Sequence, residues 1–158
     1  MKLIIACDPK GGIGYNGKLP WSKIEGDLPR FKALTDGKVV VMGRNTWESL
    51  PKKPLPNRTS YVVTSDETLI PIYPASAGGN AYATTMRIFN HVNENAFLIG
   101  GAKLIESAWD HITEIHLSRT FAEYTCDTFI DLVKLEKEFM CWFKENHTDH
   151  SYEIWKRK

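Results

Sequence analysis

The spacing of apolar and polar residues divides the chain into short strands and helices. The run "KLIIAC" (2–7) is aliphatic and β-branched, which predicts a strand, and "DPKGGIGYNGKLP" after it is a loop punctuated by Pro and Gly. A helix follows in "EGDLPRFKALTDG" (25–37), where Asp27 can cap or charge the start, Pro29 is tolerable in the first turn and Gly37 suits the stop. "KVVVMG" (38–43) shows no polar alternation, the pattern of a strand covered on both faces, and leads into a short helix in "RNTWESL" beginning near Asn45 or Thr46. "TSYVVTS" (59–65) predicts a second such strand, and the stretch 66–80, with Pro71, Pro74, Gly78 and Gly79, a loop with room for one short strand. Beyond it "MRIFNHV" reads as a helix, "NAFLIGG" (95–101) as a buried strand, "AKLIESAW" as a helix and "EIHLSRTF" (114–121) as a strand. "FMCWFKE" and "SYEIWKR", joined by the polar "NHTDH", predict an antiparallel hairpin.

Strand and helix alternating in this way imply an α/β fold: a mixed, mostly parallel central sheet with flanking helices and a C-terminal antiparallel hairpin. No repeat or linker divides the 158 residues, so one domain over 1–158 is expected. With 42 % hydrophobic and 25 % charged residues and a formal charge of +1, no uniform field favours nucleic acid. No apolar run approaches the roughly 18 residues that span a bilayer. "MKLIIAC" superficially resembles a lipoprotein cleavage site, but its apolar run is short for a signal sequence, and it reads as the first strand. Cys7, Cys126 and Cys141 are odd in number and lack metal-ligand spacing, which predicts buried small hydrophobes in a reduced cytoplasmic chain.

In open sheets of this type ligands sit beyond the carboxyl ends of the strands. Two such segments suit phosphates. "IGGAKL" (99–104) lets the backbone approach a ligand, although tight strand-to-helix packing explains a Gly-Gly turn equally well. "MGRNTWESL" adds Arg44 and Thr46, and Ser65 at the end of a neighbouring strand could join Arg44 on one phosphate group. Asp27 lies four residues before Phe31 and beside Leu28, so a carboxylate and an aromatic ring share a helix face. Such a cleft suits a planar heterocycle with an amidine-like edge, while a plain helix N-cap remains the alternative for Asp27. His91, His111, His116, His147 and His150 are scattered and are expected to be structural or surface residues. With one acid and no nucleophile, the chemistry falls to a cofactor.

Together, "IGYNGKLPW", "GDLPRFK", "VVVMGRNTWESL", "PLPNR", "FLIGGAKL" and "CDTF" resemble the dihydrofolate reductase family over nearly the whole chain. The resemblance implies reduction of 7,8-dihydrofolate to tetrahydrofolate for one-carbon metabolism, with hydride passing from NADPH to pterin C6 and a proton added at N5. It implies that Asp27 binds the pterin 2-amino group and N3, with a water near Trp21 delivering the proton and Leu19 on a loop that closes over the nicotinamide. Ile4, Ala6, Leu28, Phe31, Leu50, Leu55 and Ser118 then line the substrate site, and Arg58 pairs with the glutamate α-carboxylate. The implied cofactor residues are Ala6, Ile13, Gly14, Arg44, Asn45, Thr46, Thr64, Ser65, Gly100, Gly101, Ala102, Lys103 and Leu104. Arg44 and Ser65 match the positions that meet the adenosine 2′-phosphate, and Lys103 adds charge there. The resemblance further implies a cytoplasmic monomer with no metal.

Three departures stand out. "SKIEG" between Trp21 and Asp27 is one residue longer than the common bacterial pattern, Ile105 replaces a frequent Tyr, and Cys126 replaces a loop glycine. Two rival readings are a riboflavin-pathway type of reductase on the same fold and a ligand-binding structural subunit without turnover. Asp27 opposite Phe31, with Arg58 after "PLPN", disfavours the first, and the full set of expected catalytic positions disfavours the second.

Overall fold

The computed structural model describes residues 1–66 and 78–158. Most of the 66–80 stretch therefore lies outside the described residues. An eight-stranded sheet organises the rest, in the order β5-β4-β3-β6-β1-β7-β10-β9. Its strands are β1 (Lys2–Cys7), β3 (Val39–Gly43), β4 (Thr59–Val63), β5 (Asn80–Thr84), β6 (Phe97–Leu98), β7 (Glu114–Thr120), β9 (Phe139–Asn146) and β10 (His150–Arg157). All neighbours from β5 to β7 pair in parallel, while β10 runs antiparallel to both β7 and β9. The mixed sheet and terminal hairpin match the sequence expectation. Val40, Val41, Met42 and Leu98 are buried, as the unbroken apolar runs demanded, and so are Ile115 and Leu117 of β7.

Helix α1 (Asp27–Thr35) follows the first loop, α2 (Arg44–Ser49) leaves β3, and α3 (Ala102–Ser107) follows β6. The predicted helix at "MRIFNHV" is a short 3-10 turn, Met86–Asn90, whose start is capped by the Thr85 hydroxyl accepting from the Arg87 N–H. The predicted strand 95–101 is a regular strand only over Phe97–Leu98, although backbone bonds to β1 and β3 continue at Ala96, Ile99 and Gly100 before the chain turns toward α3. Four elements were not anticipated. β5 completes one sheet edge, α4 (Leu132–Glu138) begins at an Asp131 cap, and the loop strands β2 (Gly12–Gly14) and β8 (Thr128–Phe129) pair with each other.

Two hydrophobic clusters cover the sheet. One gathers Leu3, Cys7, Leu98, Ile105, Trp109, Ile115, Leu117, Leu135 and Phe139; the other gathers Val40, Met42, Trp47, Leu55, Val62 and Phe97. Ile105 is a core residue of the first cluster. Among the described residues no helix is long and apolar enough to cross a membrane.

The expectation that all three cysteines are buried holds only for Cys7. Cys126 is half-buried, and Cys141 is exposed because β9 is an edge strand. Burial pushes the Cys7 thiol up to about 12, so it stays protonated at pH 8 and is a poor nucleophile. Thiol labelling followed by mass spectrometry at pH 8 is expected to modify Cys141 in the folded protein and Cys7 only after denaturation. Labelling of Cys7 as fast as Cys141 would contradict the packing around it.

Candidate active site

The site is built where β1 and β7 end and α1 begins. Parallel register sets Ala6 opposite Ser118 on adjacent strands. Buried Ser118 donates from Oγ to Asp27 Oδ1 at 2.6 Å. The N-terminal flank of α1 is Gly26, at φ 80, and no side chain caps the helix. Asp27 is therefore the first helical residue and not the cap: its negative charge suits the helix start, and its carboxylate is left to face the cleft. That removes the capping alternative. The extra residue in "SKIEG" is accommodated by a turn in which the Asp27 N–H donates to Ile24 O, with Ile24 buried.

An apolar cluster packs beside α1. Phe31, Ile4 and Leu50 pack with buried Leu55 in one cluster, and Leu28 is 73 % exposed at the mouth. Ile99 joins the same cluster and was missed in the sequence, although it is the last apolar residue before the Gly-Gly turn. Arg58 is buried behind Phe31, donating from Nε to Pro56 O at 2.7 Å and from Nη1 to Thr35 Oγ1 at 3.1 Å. Burial pulls its pKa down, with Asp36 opposing the shift.

Trp21 is buried edge-on against Tyr124, whereas Leu19 is 66 % exposed on the loop before it. Two loops interlock beside them. Asp8 accepts from the Lys10 and Gly12 N–H groups through Oδ1 and from the Tyr124 N–H through Oδ2. The Asn16 N–H donates to Asp127 Oδ2 at 3.0 Å, and the Asp127 N–H donates to Gly14 O at 2.9 Å. Asp127 is held below the usual carboxylate range by the Asn16 N–H and then the Thr128 hydroxyl. Ile13, between these anchors, packs on the main core.

On the far side of the cleft, two strand-to-helix turns meet. The Gly43 N–H donates to Gly100 O at 2.9 Å, and Gly100 has φ 131. A Cβ built on Gly100 would stand 3.3 Å from Thr46 Oγ1, and one on Gly101 3.7 Å from it. Glycine there leaves a backbone-lined cradle, bordered by half-buried Ala102 and Leu104 with Lys103 exposed beside them. Gly43 and Val63 are in register, so Arg44 and Thr64 leave adjacent strands at one level, with Ser65 next. Arg44 is exposed and bonds Glu48 through Nε at 3.0 Å. Asn45 and Ser65 are exposed too, and Thr64 accepts the Asp66 N–H.

The chain is similar to known proteins over nearly its whole length. A family model described as dihydrofolate reductase matches residues 1–156. The chain belongs to the dihydrofolate reductase family. Among its relatives, "Dihydrofolate reductase type 8" of Escherichia coli is 38 % identical over 160 residues, covering 98 % of this chain and 94 % of that protein. The dihydrofolate reductase of Buchnera aphidicola is 32 % identical, covering 99 % of each. A solved dihydrofolate reductase from Enterococcus faecalis, complexed with NADP(H) and RAB-propyl, superposes with a TM-score of 0.78 at 28 % identity, covering 99 % of this chain and 95 % of that one. This member of the dihydrofolate reductase family thus carries the family's fold, and its two loops interlock through Asp8 and Asp127.

Gly12 shows how tight that interlock is. A Cβ there would lie 2.3 Å from Cys126 Sγ and 2.7 Å from its Cβ. Gly12→Ala is expected to lower stability by about 1–3 kcal/mol through overpacking, and much less in a Cys126→Gly background. Thermal melts of the four-variant cycle measure this; equal costs in both backgrounds would contradict the contact.

Proposed function

We propose that this chain reduces 7,8-dihydrofolate to 5,6,7,8-tetrahydrofolate with NADPH, using Asp27 as the group that binds and polarises the pterin. The observation that carries this reading is a lone carboxylate, fixed by Ser118, in an apolar cleft that adjoins a glycine-lined cradle. Residues 1–158 act as one domain, a cytoplasmic monomer whose partner is dihydrofolate and not nucleic acid. The formal charge of +1 and the three free cysteines support that part.

The cradle fits a dinucleotide: its backbone can approach a pyrophosphate without a Cβ in the way, and Arg44 supplies a cation on the same rim. Gly100, Gly101, Ala102, Leu104 and Thr46 would hold the pyrophosphate, while Arg44, Ser65 and Lys103, with Asn45 and Thr64, would hold the adenosine side and its 2′-phosphate. Ala6, Ile13 and Gly14 would hold the nicotinamide. NADPH, when bound, supplies the hydride. Asp27 accepts N–H bonds from the pterin 2-amino group and N3, and its negative charge stabilises the positive charge that develops on the ring. Ser118 holds the carboxylate in that orientation. Trp21, buried against Tyr124, fixes the place from which a water protonates N5, and Leu19 on the adjoining loop limits the entry of further water. Ile4, Leu28, Phe31, Leu50 and Leu55 line the pterin and aminobenzoyl sites.

Asp27→Asn is expected to fold and to bind NADPH while losing roughly a hundredfold or more in turnover at neutral pH. The loss of reduced-nicotinamide absorbance with dihydrofolate reads this directly; turnover near the original rate would contradict the role of Asp27. Arg58 is assigned to the glutamate tail, so Arg58→Leu is expected to raise the KM for dihydrofolate roughly tenfold or more and to leave a tail-less dihydropterin unaffected, since a charge-assisted bond contributes about 1.5–3 kcal/mol. Equal effects on both substrates would show that Arg58 does not read the tail.

A further inference from the structure

One cation beside Asp27 has no part in the chemistry above. Arg30 lies one turn along α1 from Asp27, and its Nη1 donates to Ser118 Oγ at 3.3 Å, the same hydroxyl that donates to Asp27. The guanidinium has further contacts on the hairpin. It lies over the Tyr152 ring, 4.2 Å from the centroid, and Nη1 also donates to His150 Nε2 at 3.1 Å. Because Arg can only donate, His150 accepts at Nε2 and carries its proton on Nδ1, which donates to Asp149 Oδ1 at 2.8 Å. The second Asp149 oxygen accepts the Glu25 N–H at 3.0 Å, which ties the hairpin to the loop that enters α1. Arg30 Nη2 lies 3.3 Å from His147 Nε2, itself 2.8 Å from Glu145 Oε1, and the His147 and His150 rings stack 4.9 Å apart. Behind them the Tyr152 hydroxyl meets His116 Nδ1, and His116 Nε2 meets Glu114.

We propose that Arg30 is a positioning residue for the reaction: anchored by Tyr152 and His150, it fills the acceptor side of the Ser118 hydroxyl and so aims that hydroxyl's proton at Asp27. A serine hydroxyl has one proton and rotates freely. With a cationic donor fixed on its oxygen, the proton is left to point away from the guanidinium, and the carboxylate lies there. Asp27 Oδ1 is thereby engaged from the sheet side and kept in the orientation that meets the pterin. The hydroxyl is also polarised by the positive charge, which strengthens its bond to the carboxylate. This inference rests on the reading of Asp27 as the pterin-binding group.

Because Arg30 acts through Ser118, its removal and the removal of the hydroxyl should not compound. The test is a kinetic cycle of wild type, Arg30→Met, Ser118→Ala and the double variant, with Asp27→Asn and Arg30→Lys alongside. Each is assayed for kcat and KM with dihydrofolate, NADPH affinity and thermal midpoint. Arg30→Met is expected to lower kcat about tenfold, with NADPH affinity within twofold of wild type. The double variant should be no slower than Ser118→Ala, and Arg30→Lys should recover part of the loss. Losses that multiply in the double variant, or a kcat for Arg30→Met within twofold of wild type, would overturn the proposal. Should Arg30→Met fail to fold, Arg30→Lys with and without Ser118→Ala makes the same comparison, and multiplying losses there overturn it equally. If Asp27→Asn keeps full turnover, the underlying reading of Asp27 fails; if only Asp27→Asn is impaired, that reading stands and the role of Arg30 fails alone.

Discussion

The bond from Ser118 Oγ to Asp27 Oδ1 is the constraint around which the site is arranged. It joins residues 91 positions apart, from the start of α1 to the end of β7, and it fixes a carboxylate at the rim of an apolar cleft. A carboxylate so placed is costly to cover unless something accepts its charge. Its half-buried state, with Leu28 exposed beside it, suits a ligand whose N–H groups complete its bonding. The parallel pairing of β1 with β7 is what delivers Ser118 to that point, opposite Ala6.

The cofactor side depends on a different constraint, the close approach of two turns. Gly43 and Gly100 meet through backbone, and side chains at Gly100 or Gly101 would stand against Thr46. The cleft and the cradle are neighbours because β3, β6 and β1 are adjacent in the sheet, so each strand end adds one wall. The loops carrying Gly12–Tyr15 and Tyr124–Ile130 close the remaining side through Asp8 and Asp127. Cys126 fits in that loop because Gly12 has no side chain. Ile105, in turn, belongs to the main core.

Much of this was legible in the sequence wherever local chemistry decides the outcome. The apolar runs of β1, β3 and β4 read as strands, and Gly, Pro and Arg44 mark the strand ends. What local chemistry does not decide was lost. β5, "NAYAT", is a weakly apolar edge strand defined by pairing with β4, and α4 has only its Asp131 cap and two or three apolar residues to announce it. Asp27 could be read as a cap until Gly26, in the left-handed conformation, was seen to take the flanking position. The histidines read as scattered, yet His147 and His150 converge on Arg30 from 117 and 120 residues away, a proximity created by the hairpin alone.

The most direct test of the central claim is a crystal structure of the protein with NADP and folate bound. The account predicts the 2-amino and N3 edge of the pterin on the Asp27 carboxylate, with the Ser118 bond intact and the pyrophosphate against Gly100 and Gly101. A pterin whose amino edge pairs elsewhere, leaving Asp27 to solvent, would contradict it.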